Sequence, residues 1–152
     1  MQRWLLWSCM QNPSYFCCPA TNTCFFMKDS CGHVLVIDDN EEILSTLTII
    51  LKKKSFQVSV KNKMDDWEET IAEINPDLIL LDKSLGWIDG CELCKGLKAN
   101  HQLSRIPVIM FSAYNKRREE CLRSGANDFL EKPFQMQHLL QTINLRMAEA
   151  KS

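Results

Sequence analysis

The stretch Leu78–Gly90 reads LILLDKSLGWIDG, and its first five residues decide the fold. Leu78, Ile79, Leu80 and Leu81 form an unbroken apolar run that ends in a single carboxylate, Asp82. A run this short and apolar on both faces is a strand buried on both sides, as in the middle of a parallel sheet. In open parallel α/β sheets the chemistry sits just outside the carboxyl ends of the strands. Asp82 occupies that address. Asp89-Gly90, a turn signal, closes the loop beyond it.

Outward from this strand the same pattern recurs. His33–Ile37 carries the apolar run Val34–Ile37 and ends in Asp38-Asp39-Asn40. Over Glu41–Lys54, the residues Ile43, Leu44, Leu47, Ile50 and Leu51 make the stripe of an amphipathic helix. Asp39 or Asn40 caps it, and Glu41 and Glu42 suit the positive end of its dipole. Phe56, Val58 and Val60 alternate with polar residues, as in a strand at a sheet edge. Asp65–Asn75 has Trp67, Ile71 and Ile74 at helical spacing and stops at Pro76. After Gly90, a helix is marked by Cys91, Leu93, Cys94 and Leu97. Its CxxC falls on core-facing positions, which favours buried thiols over redox or metal chemistry. Ile106–Phe111 is a second doubly buried strand, ending in Ser112-Ala113-Tyr114. Asn115–Ser124 reads as a short polar helix closed by Gly125. Ala126–Leu130 is the last strand and runs into Glu131-Lys132-Pro133-Phe134. Met136, Leu139, Leu140, Ile143 and Met147 stripe the last helix. Strand–helix repeated five times predicts a doubly wound parallel sheet with helices on both faces.

The chain has 152 residues, enough for one domain, and at 45% hydrophobic and 24% charged it has an ordinary globular composition. A net charge of −1 gives no basic face for non-specific nucleic-acid binding. No apolar run approaches the ~20 residues that span a bilayer. Residues 1–26 break the composition. They carry one charge, Arg3, among Trp4, Trp7, Tyr15, Phe16, Phe25 and Phe26 and four of the eight cysteines, with no sustained period. A leader over residues 1–31, without regular structure or translated from an overlong start, is expected ahead of a functional domain at 32–152. Met27-Lys28-Asp29 is the natural start. A metal knuckle from Cys17, Cys18, Cys24 and Cys31 matches no strong zinc spacing. Three scattered cysteines in the body suit a reducing compartment.

The strand ends assemble a constellation. Asp38 and Asp39 follow the first strand, Asp82 the third, Ser112 the fourth and Lys132 the fifth. Crowded carboxylates raise one another's pKa unless a cation joins them. A hard divalent ion fits, magnesium above all, because it accepts a few carboxylates and phosphate oxygens. Acids, metal, lysine and hydroxyl are the parts of a phosphoryl-transfer site. A carboxylate there is able to act as the nucleophile and form an acyl phosphate.

Residues from about Gly32 to Lys151 resemble a receiver domain of the two-component response-regulator family. The resemblance rests on VIDDN at Val36–Asn40, LILLD at Leu78–Asp82, Asp89-Gly90, FSA at Phe111–Ala113 and GANDFLEKPF at Gly125–Phe134. It implies a flavodoxin-like sheet of order 2-1-3-4-5. It implies Asp82 as phosphoacceptor, and Mg2+ (or Mn2+) held by Asp39, Asp82 and the Ser84 carbonyl, with Asp38 acting largely through water. Ser112 and Lys132 would contact the phosphoryl group, Phe129 would swing inward on phosphorylation, and Ser84 and Tyr114 would tune the acyl phosphate lifetime. The Lys132–Pro133 bond is often cis in the family. The implied function is that of a cytoplasmic single-domain response regulator that catalyses its own phosphorylation and dephosphorylation. Its implied partners are a sensor histidine kinase or phosphotransfer protein and a downstream protein target, with no direct nucleic-acid or membrane contact. The face of the fourth helix, fifth strand and fifth helix would carry the signal and any phosphorylation-dependent homodimer.

Departures from the family pattern are Gly86 where proline is usual, Phe129 in place of tyrosine, Lys83 directly after the acceptor and the bulky Tyr114. Two other readings compete. A flavodoxin-like cofactor binder would want a Ser/Thr/Gly-rich phosphate loop where this chain has Asp38-Asp39-Asn40. A phosphorylation-independent interaction module would be expected to lack an acid or the lysine. His33, His101 and His138 have no partners at ligand spacing.

Overall fold

The computed structural model describes residues 31–152, the Asn115 side chain aside, and the backbone of two short strands ahead of them. The chain divides into two compact units, Met1–Cys31 and Gly32–Ser152.

In the first unit, Tyr15–Cys18 and Thr23–Phe26 pair antiparallel, with Tyr15 opposite Phe26 and Cys17 opposite Cys24. The sequence reading expected no regular element there. Four-residue strands are too short to establish a period, although aromatic and β-branched residues favour them. The metal knuckle disfavoured for Cys17, Cys18, Cys24 and Cys31 rests on side chains of which only that of Cys31 is among the described residues.

The second unit has strands β1 (His33–Ile37), β2 (Gln57–Lys61), β3 (Leu78–Asp82), β4 (Val108–Ser112) and β5 (Asp128–Glu131). Between and after them come helices α1 (Glu41–Lys53), α2 (Trp67–Ile74), α3 (Gly90–Ala99), α4 (Arg118–Arg123) and α5 (Met136–Lys151), with a 3₁₀ turn at Asn115–Arg117 leading into α4. The sheet is wholly parallel, in the order β2-β1-β3-β4-β5. This is the expected doubly wound, flavodoxin-like order.

Both faces of the inner strands are buried, as their unbroken apolar runs required. On one face Leu35, Ile37, Ile79, Leu81, Val108, Met110 and Phe129 pack with Ile71 of α2, Leu93, Cys94 and Leu97 of α3, and Cys121 of α4. Strand residues of the opposite parity, such as Val36, Leu80 and Phe111, are equally buried. The buried leucines of α1 and Leu139 and Ile143 of α5 belong to that second layer. The CxxC cysteines are buried core residues, as expected.

Register sets the site. Ile37 lies opposite Leu81, Asp82 opposite Phe111, and Ser112 opposite Glu131. The carboxyl ends of four strands therefore finish flush, and the residues just beyond them share one edge. Asn40 is the cap of α1, its side chain accepting from the amides of Glu42 and Ile43. That leaves Asp39 out of the capping role. Gly32 has φ +128°, and a side chain there would strike Met147 of α5. Among the described residues no helix is long and apolar enough to cross a membrane.

Candidate functional site

The centre of the site is one ammonium between two carboxylates. Lys132 follows β5, and its amide donates to the Ser112 carbonyl at 2.8 Å, which prolongs the pairing with β4. The Lys132–Pro133 peptide is cis. From there the side chain crosses the Phe111 ring, with Nζ 4.6 Å from the ring centroid. It ends 2.8 Å from Asp82 Oδ1 and 2.9 Å from Asp38 Oδ2. A cation passing over an aromatic face gains a further electrostatic contact on the way.

Both acids are deeply placed, Asp38 at 1% exposure and Asp82 at 5%. Burial pushes the Asp38 carboxyl above its ordinary range, against the pull of the Lys132 ammonium and the Asn40 amide. The remaining oxygens also have donors. Asn40 N–H reaches Asp38 Oδ1 at 2.8 Å, and Ser84 N–H reaches Asp82 Oδ2 at 2.7 Å.

The other expected residues stand around this core. Asp39 is exposed, and the β3–α3 loop passes beside it, since a Cβ built on Gly86 would lie 3.4 Å from Asp39 Oδ2. Nothing there demands glycine at position 86. Ser84 is exposed, and its amide is the one that donates to Asp82. Ser112 is buried, and its Oγ accepts from Tyr114 N–H at 3.2 Å. Its hydroxyl hydrogen remains available to a newcomer. Tyr114 is 68% exposed and leaves the site open.

Phe129 stands on β5. The ring is already buried, at 3% exposure, beneath the guanidinium of Arg118.

The donor set suits a hard divalent cation. Three carboxylates against one ammonium leave the cluster two charges negative, and every donor is oxygen. Asp38, Asp39 and Asp82 are nevertheless not gathered into one tight ligand group. Among the described residues, the metal-type side chains whose ligand atoms all lie within 4.8 Å of one another are Asp89, Cys91 and Glu120. Sequence reasoning missed this second cluster, and it has a cation already. Lys83 turns away from Asp82, with Nζ hydrogen-bonded to Asp89 and 3.4 Å from Glu120 Oε1. The extra charge expected from Lys83 beside the acceptor is thus taken up elsewhere. Asp89, expected only as a turn residue, also caps α3 by accepting from Cys91 N–H at 2.7 Å.

A doubly wound parallel sheet whose adjacent strand ends present buried carboxylates bridged by a lysine is the arrangement expected of a receiver domain. Residues 34–144 match the family described as response regulator receiver domain, and the chain belongs to that family, the receivers of two-component signalling. It is 31% identical over 120 residues to the phosphate regulon transcriptional regulatory protein PhoB of Rhizobium meliloti, covering 78% of this chain and 53% of that protein. It is 31% identical over 116 residues to the DNA-binding response regulator MtrA of Mycobacterium tuberculosis, covering 75% of this chain and 50% of that one. The chain therefore spans about half the length of these curated relatives. Among solved structures it resembles the beryllofluoride-activated N-terminal receiver domain of Klebsiella pneumoniae RstA, with TM-score 0.69 and 28% identity over 76% of this chain and 97% of that one.

Proposed function

We propose that Asp82 accepts a phosphoryl group from the phosphohistidine of a sensor histidine kinase or phosphotransfer protein. The observation that carries this reading is the Lys132 ammonium held between Asp82 and Asp38 at 2.8 and 2.9 Å. A half-buried lysine shared by two buried strand-end acids is costly as a stability device and useful for positioning a nucleophile and neutralising a transferred anion.

One Asp82 carboxylate oxygen attacks phosphorus in line, the P–N bond to the donor imidazole breaks, and the freed imidazole takes a proton. Mg2+ held by Asp39, Asp82 and the Ser84 carbonyl, with Asp38 behind it, would offset charge on the transferring oxygens. Lys132 keeps Asp82 oriented and then pairs with a phosphoryl oxygen. Ser112 donates its free hydroxyl hydrogen to another. Ser84 and Tyr114, both exposed, would govern how water reaches the acyl phosphate.

The signal leaves through α4, β5 and α5, where Arg118, Phe129, Glu131, Phe134 and His138 line a groove of about 520 Å3. The new dianion would draw in Ser112 and Lys132 and favour the inward Phe129, shifting a two-state equilibrium of that face. The same face is the candidate for a phosphorylation-dependent homodimer and for the downstream protein target. The expected compartment is the cytoplasm, which keeps thiols such as Cys91, Cys94 and Cys121 reduced. With a net charge of −1, the chain is expected to contact protein rather than DNA.

The test is intact-protein mass spectrometry after incubation with acetyl phosphate and Mg2+, beside Asp82→Asn. One added phosphoryl mass, absent from the variant and absent without Mg2+, is the expected result. If the wild-type protein gives no adduct and also fails to bind beryllofluoride, the receiver-like interaction module becomes the better account.

A further inference from the structure

Helix α1 carries its charges only at its ends. Glu41 and Glu42 stand in the first turn and Lys52 and Lys53 in the last, as the helix dipole favours. The dipole does not account for the span between them. The solvent side of a surface helix is ordinarily charged or polar, yet here it holds only the small Ser45 and Thr46 and an Ile49 that is 57% exposed. Beside it runs β2, an edge strand of the sheet, where Val60 is 41% exposed. Ile49 and Val60 line one groove of about 540 Å3 together with Glu41, Leu44, Ser45 and Thr48. Single exposed apolar side chains are ordinary on a protein surface; two that share a groove make a patch.

The side of α1 that borders this groove has the same pattern from either end. Glu41, Leu44, Ser45, Thr48 and Ile49 face it, and Lys52 continues the stripe at the next helical step. Glu41 and Lys52, Leu44 and Ile49, and Ser45 and Thr48 are each equidistant from a midpoint between Thr46 and Leu47. Two such helices laid antiparallel about a two-fold axis at that midpoint bring each residue onto its complement in the other copy: carboxylate on ammonium at both ends, apolar on apolar inside them, small on small at the centre. Among the described residues neither Glu41 nor Lys52 is in an ion pair, so both charges are open to such a contact.

We propose that this face of α1 is a self-association surface whose occupant is α1 of a second copy of the chain, in antiparallel two-fold register. The end charges fix the direction, because a parallel pair would set Glu41 against Glu41 and Lys52 against Lys52. The small Ser45 and Thr48 let the two helices approach closely at the centre. The contact is separate from the α4–β5–α5 face and needs no phosphoryl group. One helix face and one strand edge make a small interface, which belongs to the weak class.

The experiment is sedimentation equilibrium of the 152-residue chain in reductant, without Mg2+ or phosphoryl donor. The expected result is a monomer–dimer equilibrium with a dissociation constant of ~10–100 μM that weakens as salt is raised. Glu41→Lys and Lys52→Glu are each expected to weaken it at least about tenfold, since each sets like charges against one another at both ends. An equimolar mixture of the two variants is expected to recover the wild-type constant, because every end contact then joins opposite charges. Both substitutions also oppose the helix dipole within their own chain, and mixing cannot relieve that, so recovery reads pairing between chains. Ile49→Arg, at an exposed position, is expected to weaken the dimer as well and carries the test if a charge reversal impairs folding, which urea unfolding reports. A wild-type chain that stays monomeric at ~0.5 mM overturns the proposal and leaves the groove to a different protein. A dimer that these variants do not weaken, or that the mixture fails to restore, overturns it in favour of another face.

Discussion

At the scale of the residue, Asp38 is the group that function holds against stability. Burial lifts its pKa above the ordinary 3.8, with the Lys132 ammonium pulling the other way. In the pH window between the ordinary and the lifted value, the folded state binds the extra proton, so stability falls as pH rises through that window. Above it the penalty is fully present; below about 3.8 both states are protonated and it disappears. Asp38→Asn is therefore expected to raise the urea midpoint at pH 7 by about 1 kcal/mol of stability, with the gain shrinking on acidification. Equal midpoints at pH 7 would mean that Lys132 fully compensates the buried charge. The cysteines give a second test. Burial pushes the Cys121 thiol up to about 12, and those of Cys91 and Cys94 upward as well. A thiol rather than thiolate at neutral pH is a poor nucleophile. Iodoacetamide should leave all three unmodified in the native protein and alkylate them in denaturant, as peptide mass spectrometry would read. Native alkylation of Cys91 or Cys94 would revive the redox reading of the CxxC.

At the scale of the element, α3 is built onto the back of the acceptor. A Cβ on Gly90 would lie 2.2 Å from the Asp82 carbonyl oxygen and 2.9 Å from the Lys83 Cα, both backbone atoms. In an open helix Gly→Ala gains about 1 kcal/mol; here the strand or the helix must shift instead. Gly90→Ala is expected to lower the urea midpoint and to slow labelling by acetyl phosphate, whereas a stabilised, fully active variant would show that the helix start yields freely. The sequence held only the turn signal at this point, because close backbone approach leaves no composition signature. The buried strands were legible because four apolar residues in a row admit few alternatives, and the α1 stripe was legible because its period is long enough to see. Element ends were less so. β4 was expected over Ile106–Phe111, yet Pro107 has no N–H to donate and contributes only the carbonyl that Ile79 N–H reaches, so the ladder runs over Val108–Ser112. Lys132, Asp38 and Asp82 were legible as a group because strand topology brings strand ends together whatever lies between. The Lys83–Glu120 pair was not, since its members sit on a loop and a helix whose mutual placement no local pattern encodes.

At the scale of the whole molecule, ligand binding and folding are linked. A ligand that binds only the folded chain stabilises it by about 2.7 kcal/mol when present at a hundredfold its dissociation constant. Beryllofluoride with Mg2+ should therefore raise Tm by several degrees, and Asp82→Asn should abolish the rise. The same measurement addresses the domain boundary. The strand-end cluster, both buried layers of the sheet and helices α1–α5 lie within Gly32–Ser152. A chain that keeps those residues retains the apolar burial that drives folding and every group proposed to hold the phosphoryl moiety. A chain beginning at Gly32 is thus expected to melt within about 2 °C of the 152-residue chain and to show the same rise with beryllofluoride. Two separate failures would be informative. A lower Tm with an intact rise would make residues 1–31 a stabilising part of the fold. An intact Tm without the rise would make them part of the phosphoryl site, and the receiver boundary would then have to move upstream of Gly32.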